Sequence, residues 1–179
     1  MGQVKLDLGC GPNVKEGFIG VDRLKFKGVK HVVQLGKRPL PYKAQSVDEV
    51  HASHFLEHLS AVERCFLLND LYRVMKPGAK CTVVVPIFSS SRAYGDPTHQ
   101  WPPIGEFWFY YLSQEWRDKN APHTDVKHWP HGYACDFEAT WGYGIHPTIQ
   151  QKNAEQQQYA INFYKEAAQD LHATLIAKK

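Results

Sequence analysis

Apolar and polar positions fall into short blocks punctuated by glycine and proline. Val4, Leu6 and Leu8 alternate with Lys5 and Asp7 and stop at Gly9-Cys10-Gly11. This predicts a strand over Val4 to Leu8 ending in a sharp loop, where missing side chains let the backbone approach a ligand. A second strand is predicted over Phe18 to Asp22, a third over Val29 to Leu35 before Gly36 and the Pro39-Leu40-Pro41 break, and a fourth over Ser46 to Ser53. Between the first two, Pro12 to Gly20 holds one proline and two glycines. No proper helix is expected there, so the first crossover is compressed.

Ser60-Ala61-Val62-Glu63 has the form of a capping box. Behind it Leu67, Leu68, Leu71, Val74 and Met75 recur at helical spacing, and Pro77-Gly78 is expected to end that helix. Cys81 to Pro86 is β-branched and apolar, as in a central parallel strand covered on both faces. From Ile87 to Tyr133 prolines, aromatics and histidines crowd together, with one helix expected over Ile104 to Asp118. Two late strands, Cys135 to Gly142 and Leu171 to Ala177, flank a predicted helix over Asn153 to Gln169. Strands alternating with helices imply an α/β fold, a doubly wound, mostly parallel, Rossmann-like sheet whose ligands sit at the strand carboxyl ends.

With 179 residues and 43% apolar content, the sequence is expected to form one domain over 1–179, with a lid or substrate insert at about 87–133. The formal charge of +3 comes without basic clusters, which argues against a nucleic-acid partner. Cys10, Cys65, Cys81 and Cys135 lack a CxxC spacing and read as reduced, pointing to a cytoplasmic protein. No apolar run is long enough to span a bilayer, so no membrane partner is expected.

Two ligand classes compete for the glycine loop. A dinucleotide turn wants G-x-G-x-x-G, but Val14 stands where the third glycine belongs, which counts against NAD or FAD. Asp22, closing Gly20-Val21-Asp22, suits a ribose, since a carboxylate at the end of the neighbouring strand accepts from both hydroxyls. The sequence resembles the class I S-adenosylmethionine-dependent methyltransferases, especially the small-molecule type related to ubiquinone biosynthesis. The resemblance lies, in order, in Leu6-Asp7-Leu8-Gly9-Cys10-Gly11, Gly20-Val21-Asp22, Leu40-Pro41-Tyr42 before Ser46-Val47-Asp48-Glu49-Val50, Leu56-Glu57-His58-Leu59, and Leu71-Tyr72-Arg73-Val74-Met75-Lys76-Pro77-Gly78. These segments lie within residues 4–86.

The resemblance implies S-adenosyl-L-methionine as cofactor. Asp7, Gly9, Cys10 and Gly11 would surround its methionine part, and Asp22 would hold the ribose. Gln34 stands where the family usually has an acid near the adenine amino group, and an amide oxygen also accepts that bond. Leu35 would offer its amide and an apolar surface to adenine, while Ser53 and His54 would line the methyl side. No helix precedes the first strand in this sequence, so the insert is expected to cover the cofactor and choose the acceptor.

Methyl transfer to a hydroxyl or amine needs a base for the acceptor's proton. His99, with Asp96 three residues before it in Asp96-Pro97-Thr98-His99, is the first candidate and His54 the second. Tyr94, His99 and Trp101 are the expected acceptor contacts. No metal site is expected: the spacing of His123, His128, His131 and Cys135 matches no standard pattern, and His51, His54 and His58 straddle a strand end. The aromatics from Trp101 to Trp116 are expected mainly as a hydrophobic plug. The leading expectation is a methyltransferase acting on O or N of a small-molecule acceptor. The alternatives are a non-catalytic regulatory protein that binds the same cofactor, or an RNA or protein methyltransferase.

Overall fold

A computed structural model describes residues 2–127 and 132–179. Five parallel strands, β1 (Lys5–Leu8), β2 (Ile19–Asp22), β3 (Val29–Val32), β4 (Val47–Ser53) and β5 (Met75–Pro86), join β6 (Phe137–Ile145) and β7 (Ala168–Ala177) in one seven-stranded sheet. The order is β3-β2-β1-β4-β5-β7-β6, with β7 antiparallel to both neighbours. Strand order reverses between β1 and β4, so their carboxyl ends open a crevice, the ordinary ligand position in such sheets.

Register explains which face is core. Ile19, Leu6, Val50, Cys81, Leu175 and Ala139 lie side by side, as do Val21, Leu8, Ala52, Val83, Ala173 and Trp141. The rows between them project to the opposite face. One runs Asp7, His51, Thr82, Thr174 and Thr140, another Lys5, Glu49, Lys80, Ile176 and Glu138. The apolar face packs with α1 (Ala61–Val74), whose Leu67, Leu68, Leu71 and Val74 are buried with it. The other face meets its polar needs within the sheet, through the Lys5–Glu49 pair at 2.8 Å and the His51–Asp7 contact at 2.9 Å. Cover on both faces was expected over Cys81 to Pro86; instead Cys81, Val83 and Val85 are buried while Thr82 and Val84 are only half-buried. Besides the compressed first crossover, the links from β2 to β3 and from β3 to β4 also lack a helix.

Ser60 caps α1 with both halves of the capping box present. The helix stops at Val74, three residues before the proline, because Met75 already pairs with Val47 as the start of β5. Between β5 and β6 the chain forms α2 (Arg92–Gly95), α3 (Glu106–Tyr110) and α4 (Gln114–Asn120). The single helix expected over Ile104 to Asp118 is split, because the Ser113 hydroxyl accepts from Trp116 N–H and starts a new helix there. Phe109 stacks on Trp141 of β6, and Tyr110 stacks on Trp116, so this part of the aromatic segment is packing as expected. The late helix is shorter than expected: α5 (Pro147–Gln150) and α6 (Ala154–Phe163) precede β7, which begins at Ala168. No described helix is long and apolar enough to cross a membrane.

Candidate active site

The loop after β1 turns left-handed twice, at Gly9 (φ +62°) and Gly11 (φ +53°). A Cβ on Gly9 would sit 2.3 Å from the Phe55 ring, so this position serves close packing as well as the turn. Asp22, at the end of β2, accepts from Gly11 N–H and Leu24 N–H, each at 2.9 Å. An ionised carboxylate offers about four acceptor sites, so two remain for hydroxyls of a ligand. Asp22 and Gly9 form one wall of a cavity of about 680 Å³. Gln34, Leu35, His54, Phe55, His58, Thr98 and Gln100 also line it.

Not every expected cofactor contact lies on that wall. Asp7 is buried, accepting from Lys15 N–H at 2.8 Å and contacting His51 Nδ1 at 2.9 Å, so it shapes the loop from behind. The Cys10 thiol points back to the Val21 carbonyl at 3.9 Å. Burial, then the Asp7 and Asp22 carboxylates, push its pKa up to about 11. The Leu35 amide, expected to be offered to adenine, already donates to the Val33 carbonyl at 3.0 Å, which leaves Leu35 an apolar role. Gln34 is exposed at the rim, and Ser53 is half-buried at the end of β4 outside the lining.

Of the catalytic candidates, His54 lines the cavity, held at φ +50° just past β4. The Glu57 carboxylate 3.5 Å from its Nδ1 raises the imidazole above its ordinary pKa. Asp96 lies near His99 without hydrogen-bonding it: Nε2 is 3.9 Å from the carboxylate, which accepts from Thr98 N–H and Oγ1–H at 2.8 and 2.6 Å. Those two bonds hold Asp96 below the usual carboxylate range. His99 directs Nδ1 to the Ala93 carbonyl at 3.3 Å and packs edge-on against His58. Tyr94 and Trp101 are 51% and 77% exposed, and neither lines the cavity. His123 is exposed and Cys135 buried, while His128 and His131 lie outside the described residues.

Sequence reasoning missed Phe55 and Arg64. Arg64 is 2% exposed, and its guanidinium donates to the carbonyls of Leu56, Glu57, Gln100 and Pro102 at 2.7–3.5 Å. Gln100 N–H adds a bond to the Glu57 carbonyl at 2.8 Å. Together they bolt the 96–102 segment onto the Leu56–His58 turn. An arginine inside the apolar period of α1 was the available signal.

Residues 10–83 match the methyltransferase domain family model. No curated protein sequence matches the chain. Among solved structures, a SAM-dependent methyltransferase from Archaeoglobus fulgidus aligns with a TM-score of 0.65 at 19% identity, covering 99% of this chain and 86% of its own. The Burkholderia thailandensis 1,6-didemethyltoxoflavin-N1-methyltransferase, with bound 1,6-didemethyltoxoflavin and S-adenosylhomocysteine, aligns at 0.57 with 13% identity over 98% and 71%. The Streptomyces coelicolor A3(2) geranyl diphosphate C-methyltransferase, in complex with Mg²⁺, geranyl diphosphate and S-adenosyl-L-homocysteine, aligns at 0.55 with 11% identity over 99% and 72%. The chain has the class I S-adenosylmethionine-dependent methyltransferase fold. Residues 10–83 match methyltransferase-domain sequence on that fold, which supports an enzyme, and the cofactor of the class is S-adenosylmethionine. The chain's own groups fit that cofactor: a bare-backbone loop at Gly9 and Gly11, a carboxylate with spare acceptor sites, and the adjoining cavity.

Proposed function

We propose that the chain transfers the methyl group of S-adenosylmethionine to an oxygen or nitrogen of a small-molecule acceptor, in the manner of the ubiquinone-related type its sequence resembles. One observation carries the reading. A single cavity of about 680 Å³ is lined by Gly9 and Asp22 and by the imidazoles of His54 and His58, which supports a ribose-binding carboxylate and a proton acceptor serving one space. The small acceptor bound by the Burkholderia enzyme supports the same class here.

In this reading Asp22 holds the ribose, Leu35 packs against the adenine and Gln34 reaches its edge. When bound, the cofactor would supply its methyl carbon to the acceptor's lone pair, the carbon–sulfur electrons returning to sulfur, and His54 would take the acceptor's proton. Alignment of the two reactants supplies about 7–11 kcal/mol of the barrier. A placed base adds roughly 10²–10⁴-fold. His99 acts from behind His58, and Tyr94 and Trp101 meet the acceptor only where it extends beyond the cavity. Four free cysteines accord with a reducing, cytoplasmic setting.

The test is formation of S-adenosylhomocysteine across a panel of phenolic, hydroxyl and amine acceptors. Turnover that falls at least about 100-fold in His54→Gln, with cofactor affinity retained, supports the reading. Cofactor binding without turnover on any acceptor favours a regulatory binding protein instead.

A further inference from the structure

Beside the cofactor cavity, Glu57, His58 and His99 each bring a ligand atom within 4.8 Å of the other two. They come from two segments far apart in sequence, joined by Arg64 and by the Gln100 N–H bond to the Glu57 carbonyl.

Hydrogen bonding fixes what the two rings present. Thr98 has one hydroxyl proton and donates it to Asp96 Oδ1 at 2.6 Å. Its oxygen, 2.9 Å from His58 Nδ1, therefore accepts from that ring, which leaves His58 Nε2 with a free lone pair. A carbonyl can only accept, so the Ala93 oxygen takes the His99 Nδ1–H and leaves the His99 Nε2 lone pair unbonded as well, 3.9 Å from the Asp96 carboxylate. One ring nitrogen tied to an acceptor is the outer arrangement usual for metal-bound histidine, and it leaves the other nitrogen available to an ion.

The third group is an anomaly until a cation is considered. Glu57 is 5% exposed; its Oε1 lies 3.5 Å from His54 Nδ1, but its Oε2 is buried with no hydrogen-bond partner. An unpaired buried carboxylate oxygen is costly, so such a group calls for a charge or donor to face it. Two imidazoles and one carboxylate form the three-ligand set of zinc sites that keep a fourth position open. Bonds of about 2.0–2.2 Å around a tetrahedral ion place ligands roughly 3.3–3.6 Å apart, so atoms within 4.8 Å of one another would draw in by about 1 Å on binding.

We propose that Glu57, His58 and His99 form a divalent metal site of the zinc type, with its open position toward the cofactor cavity that His58 lines. Its role, which rests on the methyl-transfer reading, is to bind the acceptor's hydroxyl and favour its deprotonated form, with His54 taking the proton. Binding of the metal itself does not depend on that reading.

The experiment is titration of the full chain, stripped with a chelator, with Co²⁺ as a visible probe for zinc. The expected result is one Co²⁺ per chain, with absorption bands of a low-coordinate nitrogen and oxygen site. Affinity should fall about tenfold or more in both His58→Ala and His99→Ala. Thermal unfolding and S-adenosylhomocysteine binding, measured on the same variants, separate a lost metal site from a lost fold or a failed cofactor reading. Glu57→Gln, close in volume, gives a third test and should also weaken the metal. No saturable Co²⁺ signal in the parent chain, or equal affinity in variants that remain folded, overturns the proposal.

Discussion

Gly9 illustrates how one residue serves turn and packing together. Its φ of +62° and the Phe55 ring, 2.3 Å from where a Cβ would lie, both oppose a side chain. Gly9→Ala should cost at least about 2 kcal/mol, from left-handed strain plus displacement of Phe55. Thermal unfolding should register this as a fall of roughly 4–8 °C, and the loop's ligand should bind more weakly. Cys10 gives a pH prediction. With a thiol pKa raised to about 11, only about one part in a thousand is thiolate at pH 8. Its alkylation, followed by peptide mapping, should therefore be slow at neutral pH and rise about tenfold per pH unit until pH approaches 11. Rapid labelling at pH 7.5 would contradict the burial and the two neighbouring carboxylates.

Among the elements, α1 links the core to the site. Its capping box makes Ser60→Ala a loss of about 1 kcal/mol, measurable by denaturant unfolding. Arg64, one turn further on, ties four carbonyls of two segments. Arg64→Met should cost more than the cap does, because it takes the donor from the Gln100 and Pro102 carbonyls, and each buried carbonyl left unpaired costs about 1–3 kcal/mol before relaxation. It should also loosen the 96–102 segment, which amide exchange would report at Gln100. The first four strands and α1 were legible because alternation, glycine loops and the capping box are local signals. The split between α3 and α4 was harder to read, since the Ser113 cap competes with an aromatic run that also fits a continuous helix. At the site, Gly9 and Asp22 announced themselves through spacing. His58 with His99 did not, because their meeting depends on Arg64 folding two distant segments together, while His51, considered beside His58, is taken by Asp7.

For the whole molecule, the register of the sheet sets the architecture. Apolar rows form one core with α1, and the opposite rows of β1 and β4 satisfy one another through Lys5–Glu49 and Asp7–His51. That internal pairing is why a chain with three helix-free crossovers retains a polar second face. A ligand that binds only the folded slot should stabilise the whole chain. S-adenosylhomocysteine at 100 times its dissociation constant should add about 2.7 kcal/mol, raising the melting temperature by roughly 5–11 °C. The most direct measurement is calorimetric titration of S-adenosylhomocysteine into the parent chain and into Asp22→Ala. Saturable binding of one nucleoside per chain, weakened at least about tenfold by the substitution, is the predicted result, since hydrogen bonds to a charged acceptor are worth about 1.5–3 kcal/mol. No heat of binding at millimolar ligand, or equal affinity in a folded Asp22→Ala chain, would contradict it.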